Sequence, residues 1–248
     1  MDAQEIYKNY ISKDNGLISG YAFFTMGLPA SGKTTYARKV LEELNINPNQ
    51  VIHLDPDDIL EDLKREEQFK NKKLKELNKL SIIIISQVFK LIVNSVEKYS
   101  FIYYGTGKNW KSYQTMINKA NNNGYTTGLI NVELDLETAV ERNAKRGENS
   151  GRSVGRNVIS DIHSKLTTPV TEPEKHIGKT NMEILSELVN IVYTIDTSGK
   201  VPDIARLKGG KRKTKTKKQR KTKNKNTKNK KQRKTKQNNL IKQNNLIK

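Results

Sequence analysis

An α/β fold organised around a parallel sheet is predicted by two observations. Short apolar runs alternate with segments of helical periodicity, the pattern of successive strand–helix–strand units. The first run, Tyr21–Met26, leads into Gly27-Leu28-Pro29-Ala30-Ser31-Gly32-Lys33-Thr34, a loop of the form G-x-x-x-x-G-K-[ST]. Glycines let such a loop curl so that its N–H groups converge on phosphate oxygens. The lysine reaches the β- and γ-phosphates, and the threonine hydroxyl is placed to ligate Mg²⁺. Strand, glycine loop and helix in this order set a P-loop apart from an ordinary glycine turn.

The elements follow in order. Met1–Ser19 reads as a short packed helix around Ile6, Tyr10 and Ile11. After the loop, Tyr36, Val40, Leu41 and Leu44 recur at helical spacing, and Asn45 and Pro48 end that helix. Val51–Leu54, Phe101–Tyr104, Thr127–Val132 and Leu188–Ile195 are the further strand candidates. Between the second and third strands, Leu77, Leu80, Ile84, Val88, Ile92 and Val96 form one apolar stripe. The heavily charged Glu61–Lys79 before it reads as a solvated arm or an irregular insertion. Asn109–Asn122 is a helix closed by the turn signal Asn123-Gly124, and Asp135 is placed to cap a helix over Leu136–Arg146.

Charge divides the chain in two. The last 40 residues hold 18 of the 46 Lys and Arg and none of the 26 acids, so residues 1–208 are close to neutral. That boundary defines a folded domain over 1–208 and a basic low-complexity tail over 209–248. Within the tail, residues 217–223 recur as 230–236, and 237–242 as 243–248. Such a tract has little to bury and repels itself, so disorder is expected. It suits a solvated tail without a specific role, or salt-dependent attraction to nucleic acid and other polyanions.

The chain has no cysteine, which excludes disulfides and thiolate metal sites and suits a reducing compartment. A cytoplasmic location is the expectation, with nuclear import through the tail as an alternative. Met1–Gly16 has no apolar signal-peptide core. The most hydrophobic segment, Leu80–Val96, is broken by Gln87, Lys90 and Asn94 and falls short of the ~20 residues a membrane span needs. It reads as a buried helix, and no membrane span is expected.

Four groups of residues converge on the P-loop in this reading. The cradle itself is Gly27 to Thr34 with Thr35, where Lys33 holds the donor phosphates. After the second strand comes Leu54-Asp55-Pro56-Asp57-Asp58, and in parallel sheets ligands bind beyond the carboxyl ends of the strands. Phosphoryl transfer to a hydroxyl wants a carboxylate that orients or deprotonates the acceptor, which makes Asp55 and Asp57 candidates and Asp58 an alternate. Asp57 or Asp58 would equally serve as a helix cap. After the third strand, Gly105, Thr106 and Gly107 offer close approach and a hydroxyl, or a plain turn. Arg142, Arg146, Arg152 and Arg156 lie close together among Gly147, Gly151 and Gly155, suited to a mobile arginine lid over transferring phosphate or to a solvated basic surface. Asp196-Thr197-Ser198-Gly199 would flank the nucleotide base or form a turn. His53, His163 and His176 show no ligand spacing and receive no role.

Together these residues resemble the zeta toxin family of P-loop kinases over roughly residues 20–200. GLPASGKTT (27–35), LDPDD (54–58), YGTG (104–107) and ERNAKRGENSGR (141–152) carry the likeness. The resemblance implies a P-loop NTPase fold with an adenylate-kinase-like core of five parallel strands flanked by helices, and ATP with Mg²⁺ as cofactors. It implies Lys33 as the P-loop lysine, Thr34 on the metal and Asp57 as general base; the residues themselves add Asp55 beside Thr34 on the metal. Arg142 and Arg152 would be the catalytic arginines, supported by Arg146 and Arg156 on the nucleotide, and Gly105 and Thr106 would lie on the substrate. Toxin members phosphorylate the 3′-OH of UDP-N-acetylglucosamine. Where they read Glu-Gly-Thr, this chain reads Tyr104-Gly105-Thr106, so the implied activity is an ATP-dependent kinase for a hydroxyl acceptor not fixed by the motif. A polynucleotide end kinase shares the loop, the paired Asp and the arginines, although Ile59, Leu60 and Glu61 stand where known 5′-end kinases carry an arginine. A catalytically poor nucleotide-binding module tethered to nucleic acid by the tail is the reading from another class.

Overall fold

The computed structural model describes residues 2–12, 16–150, 153–199 and 202–208, which belong to the compact unit Met1–Gly209. The side chains of 149 and 150, Arg152 and the basic segment 209–248 lie outside the described residues, so the expectations attached to Arg152 and to the tail are neither met nor contradicted.

Helix α1 (Ala3–Ser12) precedes strand β1 (Tyr21–Gly27), the P-loop and helix α2 (Lys33–Glu43). Next come β2 (Ile52–Leu54), α3 (Pro56–Arg65), α4 (Leu74–Val93), β3 (Phe101–Tyr103) and α5 (Trp110–Asn122). The chain closes with β4 (Thr126–Glu133), α6 (Leu136–Ser150), α7 (Arg156–Thr167), α8 (Asn181–Leu188), β5 (Ile191–Asp196) and β6 (Asp203–Lys208). The sheet order is β2-β3-β1-β4-β5-β6, parallel throughout except for β6, which pairs antiparallel with β5.

The five parallel strands expected from the sequence are present, and a sixth is added at the edge. Asp203–Lys208 shows no apolar run because it is half in water, with Asp203, Ile204, Leu207 and Lys208 exposed. An edge strand with one partner and solvated faces does not need the hydrophobic signature of a buried one.

Strand alternation builds a three-layer sandwich. Phe23, Ile102, Ile130 and Tyr193 point to one face, where Ala37, Val40 and Leu41 of α2 cover them. Ala22, Phe24, Phe101 and Leu129 point to the other, under α1, α3, α4, α5 and α8. There Phe101 meets Phe24, Phe89 and Tyr125 edge to face, with ring centroids 5.5–5.9 Å apart. Geometry of that kind adds about 0.5–1.5 kcal/mol per pair beyond area burial.

The apolar stripe on α4 is real from Leu77 to Ile92 but does not include Val96, which is 91% exposed. Helix α4 stops at Val93 with Asn94 as its C-cap, and Val96 lies in the turn beyond. The charged stretch 61–79 is the end of α3, a 3₁₀ turn at Glu67–Phe69 and the start of α4. Leu188 ends α8 rather than opening β5. Helix α2 ends at Glu43, and Asn45 follows in the left-handed conformation (φ 61°), a usual place for Asn after a helix. Among the described residues no helix is long and apolar enough to cross a membrane.

A third, small core of Leu28, Leu134, Ala139, Ile159 and Ile162 joins the P-loop to α6 and α7. The α6–α7 pair thus rests on five buried side chains beside the main body.

Candidate active site

Strand β1 lies between β3 and β4, where the chain crosses from one half of the sheet to the other. In open parallel sheets this switch point is where ligands bind, beyond the carboxyl ends of the strands. A cleft of about 700 Å³ occupies that position. It is lined by the P-loop, by Asp55 and Asp57 after β2, by Tyr104–Thr106 after β3, and by Arg142 and Arg146 of α6.

The loop's glycines answer to backbone geometry. Gly27 has φ +133°, and a Cβ there would stand 2.2 Å from the Val132 carbonyl oxygen of β4. Gly32 has φ +87° and opens α2. Even Ala30 is held at φ 59°, a conformation costly for a residue with a Cβ. The first backbone bond of α2 runs from Tyr36 N–H to Gly32 O. The N–H groups of Lys33, Thr34 and Thr35 are therefore the unpaired donors of a helix start, an anion-binding arrangement.

Lys33 folds back over the loop and donates to Leu28 O (2.6 Å) and Gly27 O (3.2 Å). Burial pushes its ammonium pKa down to about 8, and Asp55 and Asp57 oppose that shift. Two neutral carbonyls leave its charge largely uncompensated, which suits a phosphate. Pro29, Ala30, Gly32, Lys33, Thr34 and Thr35 line the cleft. Leu28 and Ser31 are buried beneath it, and the Ser31 hydroxyl has no hydrogen-bond partner.

Asp55, not Asp57 or Asp58, caps α3, its Oδ1 accepting from Asp57 N–H at 2.9 Å. Desolvation pushes the Asp55 carboxyl up to about 6, so it is ionised at neutral pH. Among the described residues no three acids or histidines cluster to cage a metal. Magnesium seldom uses such a cage; it takes one or two protein oxygens with phosphate and water, and the Thr34 hydroxyl and Asp55 carboxylate in one cleft fit that demand. Asp57 is exposed at the cleft, 3.9 Å from the Arg146 guanidinium.

Gly105 and Thr106 line the cleft, but their fit is dictated from behind. The Gly105 N–H is paired with the Thr25 hydroxyl, and Thr106 O accepts from Gly27 N–H, tying the third strand's loop to the P-loop. Tyr104 also lines the cleft, with its hydroxyl engaged by His53 Nδ1 at 2.8 Å.

Arg142 reaches the loop after β5, donating to Thr197 O at 2.9 Å and Oγ1 at 3.4 Å. Arg156 does not line the cleft; it pairs with Glu137 on the surface at 2.6 Å. The cleft also takes in Leu60, Lys64, Leu74 and Asn78 of α3 and α4, and Asn143 of α6. None of these was expected to line the site, Leu60 having been noted only as one of three residues standing where 5′-end kinases carry an arginine. Asn143 alone carried a signal, as a polar residue one helical turn after Ala139 and directly beside Arg142.

The matches to known proteins agree with this geometry. No curated protein matches the chain. A chain from the PezAT chromosomal toxin–antitoxin system of Streptococcus pneumoniae superposes with a TM-score of 0.59 at 16% identity, covering 79% of this chain and 76% of its own length. AvrRxo1-ORF1:-ORF2 with ATP superposes with a TM-score of 0.58 at 12% identity, covering 83% of this chain. The present chain spans 65% of that one. The fold implied by the zeta-toxin resemblance is thus the fold observed. The P-loop, both arginines of α6 and the strand ends that line the cleft fall inside residues 23–169, and that span matches the family described as AAA domain. With well over half its length in that match, from β1 to the end of α7, the chain belongs to the AAA domain family of nucleotide-binding P-loop proteins.

Proposed function

We propose that the protein is an ATP-dependent kinase that transfers the γ-phosphoryl group to a hydroxyl acceptor. One observation carries the reading: Lys33 and Thr34, the Asp55–Asp57 pair, and Arg142 with Arg146 all open onto a single cleft. Donor binding, acceptor activation and stabilisation of transferring charge are the parts that phosphoryl transfer requires.

The P-loop N–H groups and the protonated Lys33 would hold the donor phosphates. Thr34 and Asp55 would hold magnesium, which when bound supplies positive charge to the phosphate oxygens. Asp57 would orient the acceptor hydroxyl and take its proton, being exposed and open to the cleft. Arg142 and Arg146 would face the developing charge, with Arg152 of the same segment as a further candidate. Gly105 and Thr106 would contact the acceptor.

A phosphate-bearing acceptor such as a nucleotide-sugar suits Lys64 and Asn78 at the α3–α4 end of the cleft. A polynucleotide end is the second reading, favoured by the basic segment 209–248. Incubating the full chain with γ-labelled ATP and a panel of UDP-sugars, nucleosides, RNA ends and DNA ends tests both. Lys33→Ala abolishes transfer in this scheme, and unaltered turnover by that variant would remove the site assignment. Asp57→Asn loses turnover while retaining ATP binding; loss of ATP binding as well would make Asp57 a structural or metal residue.

A further inference from the structure

Helix α6 carries a stripe of small or polar residues at one-turn spacing: Ala139, Asn143 and Gly147. Ala139 is buried in the small core against α7. Asn143 is 6% exposed and joins both ends of its amide to one residue, donating from Nδ2 to Val154 O at 2.8 Å and accepting Val154 N–H on Oδ1 at 3.2 Å. Gly147 lets the chain sit close, because a Cβ there would stand 2.9 Å from Ser153 Cβ. A side-chain amide that pairs with both backbone groups of a distant residue copies a β-bridge and fixes position and direction together. The returning chain at Ser153–Val154 is therefore docked on α6 by an asparagine and a glycine, with little apolar packing to help.

This joint lies within the cleft wall. Asn143, Ser153 and Val154 all line the cleft, and Asn143 sits directly after Arg142 and one turn before Arg146. We propose that Asn143 is a positioning residue for phosphoryl transfer: its paired bonds to Val154 hold the Ser153–Val154 wall against α6 and so set the cleft around Arg142 and Arg146. The inference rests on the kinase reading above. Asn143 touches no reacting atom; it acts through the wall it fixes. Misplacement of transition-state groups by an ångström costs turnover far more than nucleotide binding, which the P-loop secures separately.

Two substitutions perturb the joint in ways that ordinary destabilisation would not mimic. Asn143→Asp keeps the acceptor for Val154 N–H but turns a carboxylate oxygen toward Val154 O. Protonation of the introduced carboxyl restores a donor, so its deficit relative to the parent protein shrinks as the pH falls. Gly147→Ala gains helix propensity yet displaces Ser153, so it separates stability from turnover. The expected result, with the best acceptor from the panel, is a kcat about 10- to 100-fold lower for both variants, with KM for ATP held and both proteins fully folded at the assay temperature, Asn143→Asp melting below the parent and Gly147→Ala close to it. The ratio of Asn143→Asp to parent kcat should rise from pH 8 to pH 5.5, while that of Gly147→Ala stays flat. Parent-like kcat in both variants, a loss that tracks the unfolded fraction, or an Asn143→Asp deficit indifferent to pH overturns the proposal alone. No transfer by the parent to any acceptor removes the kinase reading, and this inference with it.

Discussion

The Tyr104 hydroxyl donates to Nδ1 of His53 across 2.8 Å, and the two rings stack 5.7 Å apart at 14°. The direction of that bond follows from the other side of the imidazole. His53 Nε2 lies 2.9 Å from the Pro48 carbonyl, which only accepts, so Nε2 carries the proton and Nδ1 must accept. Burial lowers the His53 pKa, which keeps the ring neutral. The residue standing where toxin members carry a glutamate thus spends its one proton away from the cleft. Removing the hydroxyl in Tyr104→Phe takes the donor from Nδ1 of the half-buried His53, and stability should fall by about 0.5–1.5 kcal/mol in urea denaturation. Nucleotide affinity should be unchanged, because the lost group does not face the P-loop. A Tyr104→Phe protein as stable as the parent would mean that the His53 bond contributes nothing.

Lys33 links pH to both stability and binding. Its folded pKa of about 8 lies below the ordinary 10.5, so the folded protein holds that proton less readily than the unfolded chain does. Between those values the unfolded chain binds more protons, so this group's contribution to stability rises with pH from about 8 to 10.5. The penalty is fully present at neutral pH. Lys33→Met should therefore raise the ligand-free stability at pH 7 by on the order of 1–2 kcal/mol while abolishing phosphoryl transfer. Its stability should also lose the upward slope above pH 8. Denaturation midpoints at pH 7 and pH 9.5 with and without ATP check this, and a destabilised Lys33→Met protein would contradict it.

The parts of the site that the sequence made legible are those whose chemistry is local. Gly27 and Gly32 need unusual backbone angles, and Asp55 and Asp57 follow directly from a strand, so their spacing along the chain is their spacing in the cleft. The parts that stayed hidden depend on tertiary contact. His53 is one histidine in a strand with no partner spacing, and its meaning appears only when β3 brings Tyr104 beside it. Arg142 and Arg156 fall in one arginine group, the first expected in catalysis and the second in support on the nucleotide. The fold sends Arg142 to Thr197 and leaves Arg156 on Glu137 at the surface. Strand β6 was missed for a simpler reason: an edge strand in water has no hydrophobic pattern to read.

Gly105 shows how tightly the site is backed. A Cβ at that position would meet the Tyr113 hydroxyl at 2.1 Å, and that hydroxyl is itself committed to Thr25 O at 2.9 Å. Tyr113 is buried, so neither side can yield freely. Gly105→Ala should cost about 2–3 kcal/mol as an overpacked core site. In a Tyr113→Phe background the obstructing oxygen is gone, and the same substitution should cost about 1–2 kcal/mol less. A double-mutant cycle by urea denaturation measures that coupling; additive costs would show that the strain lies elsewhere.

Arg142 supplies the sharpest separation of catalysis from stability. Its guanidinium spans Thr197 O and Oγ1, while the Thr197 hydroxyl donates to Glu133 O at 2.9 Å, so the loop after β5 is joined to the end of β4 before the arginine arrives. That joint does not need Arg142 in order to form; Arg142 needs it in order to be aimed. Arg142→Lys keeps the charge but loses the fork that reaches two acceptors at once. It should lower kcat by about 10²-fold or more, within the range that arginines on transferring phosphate supply, and shift stability by no more than about 0.5–1 kcal/mol. Thr197→Val removes the hydroxyl and its bond to Glu133 O, but leaves the backbone N–H bond to that same oxygen at 3.0 Å and the carbonyl that takes the 2.9 Å bond from Arg142. Its kcat should fall by less than that of Arg142→Lys, while its loss of stability is the larger of the two. Steady-state kinetics beside denaturation midpoints for the two variants give a crossed pattern in this scheme, and parallel losses in both quantities would make Arg142 a structural residue.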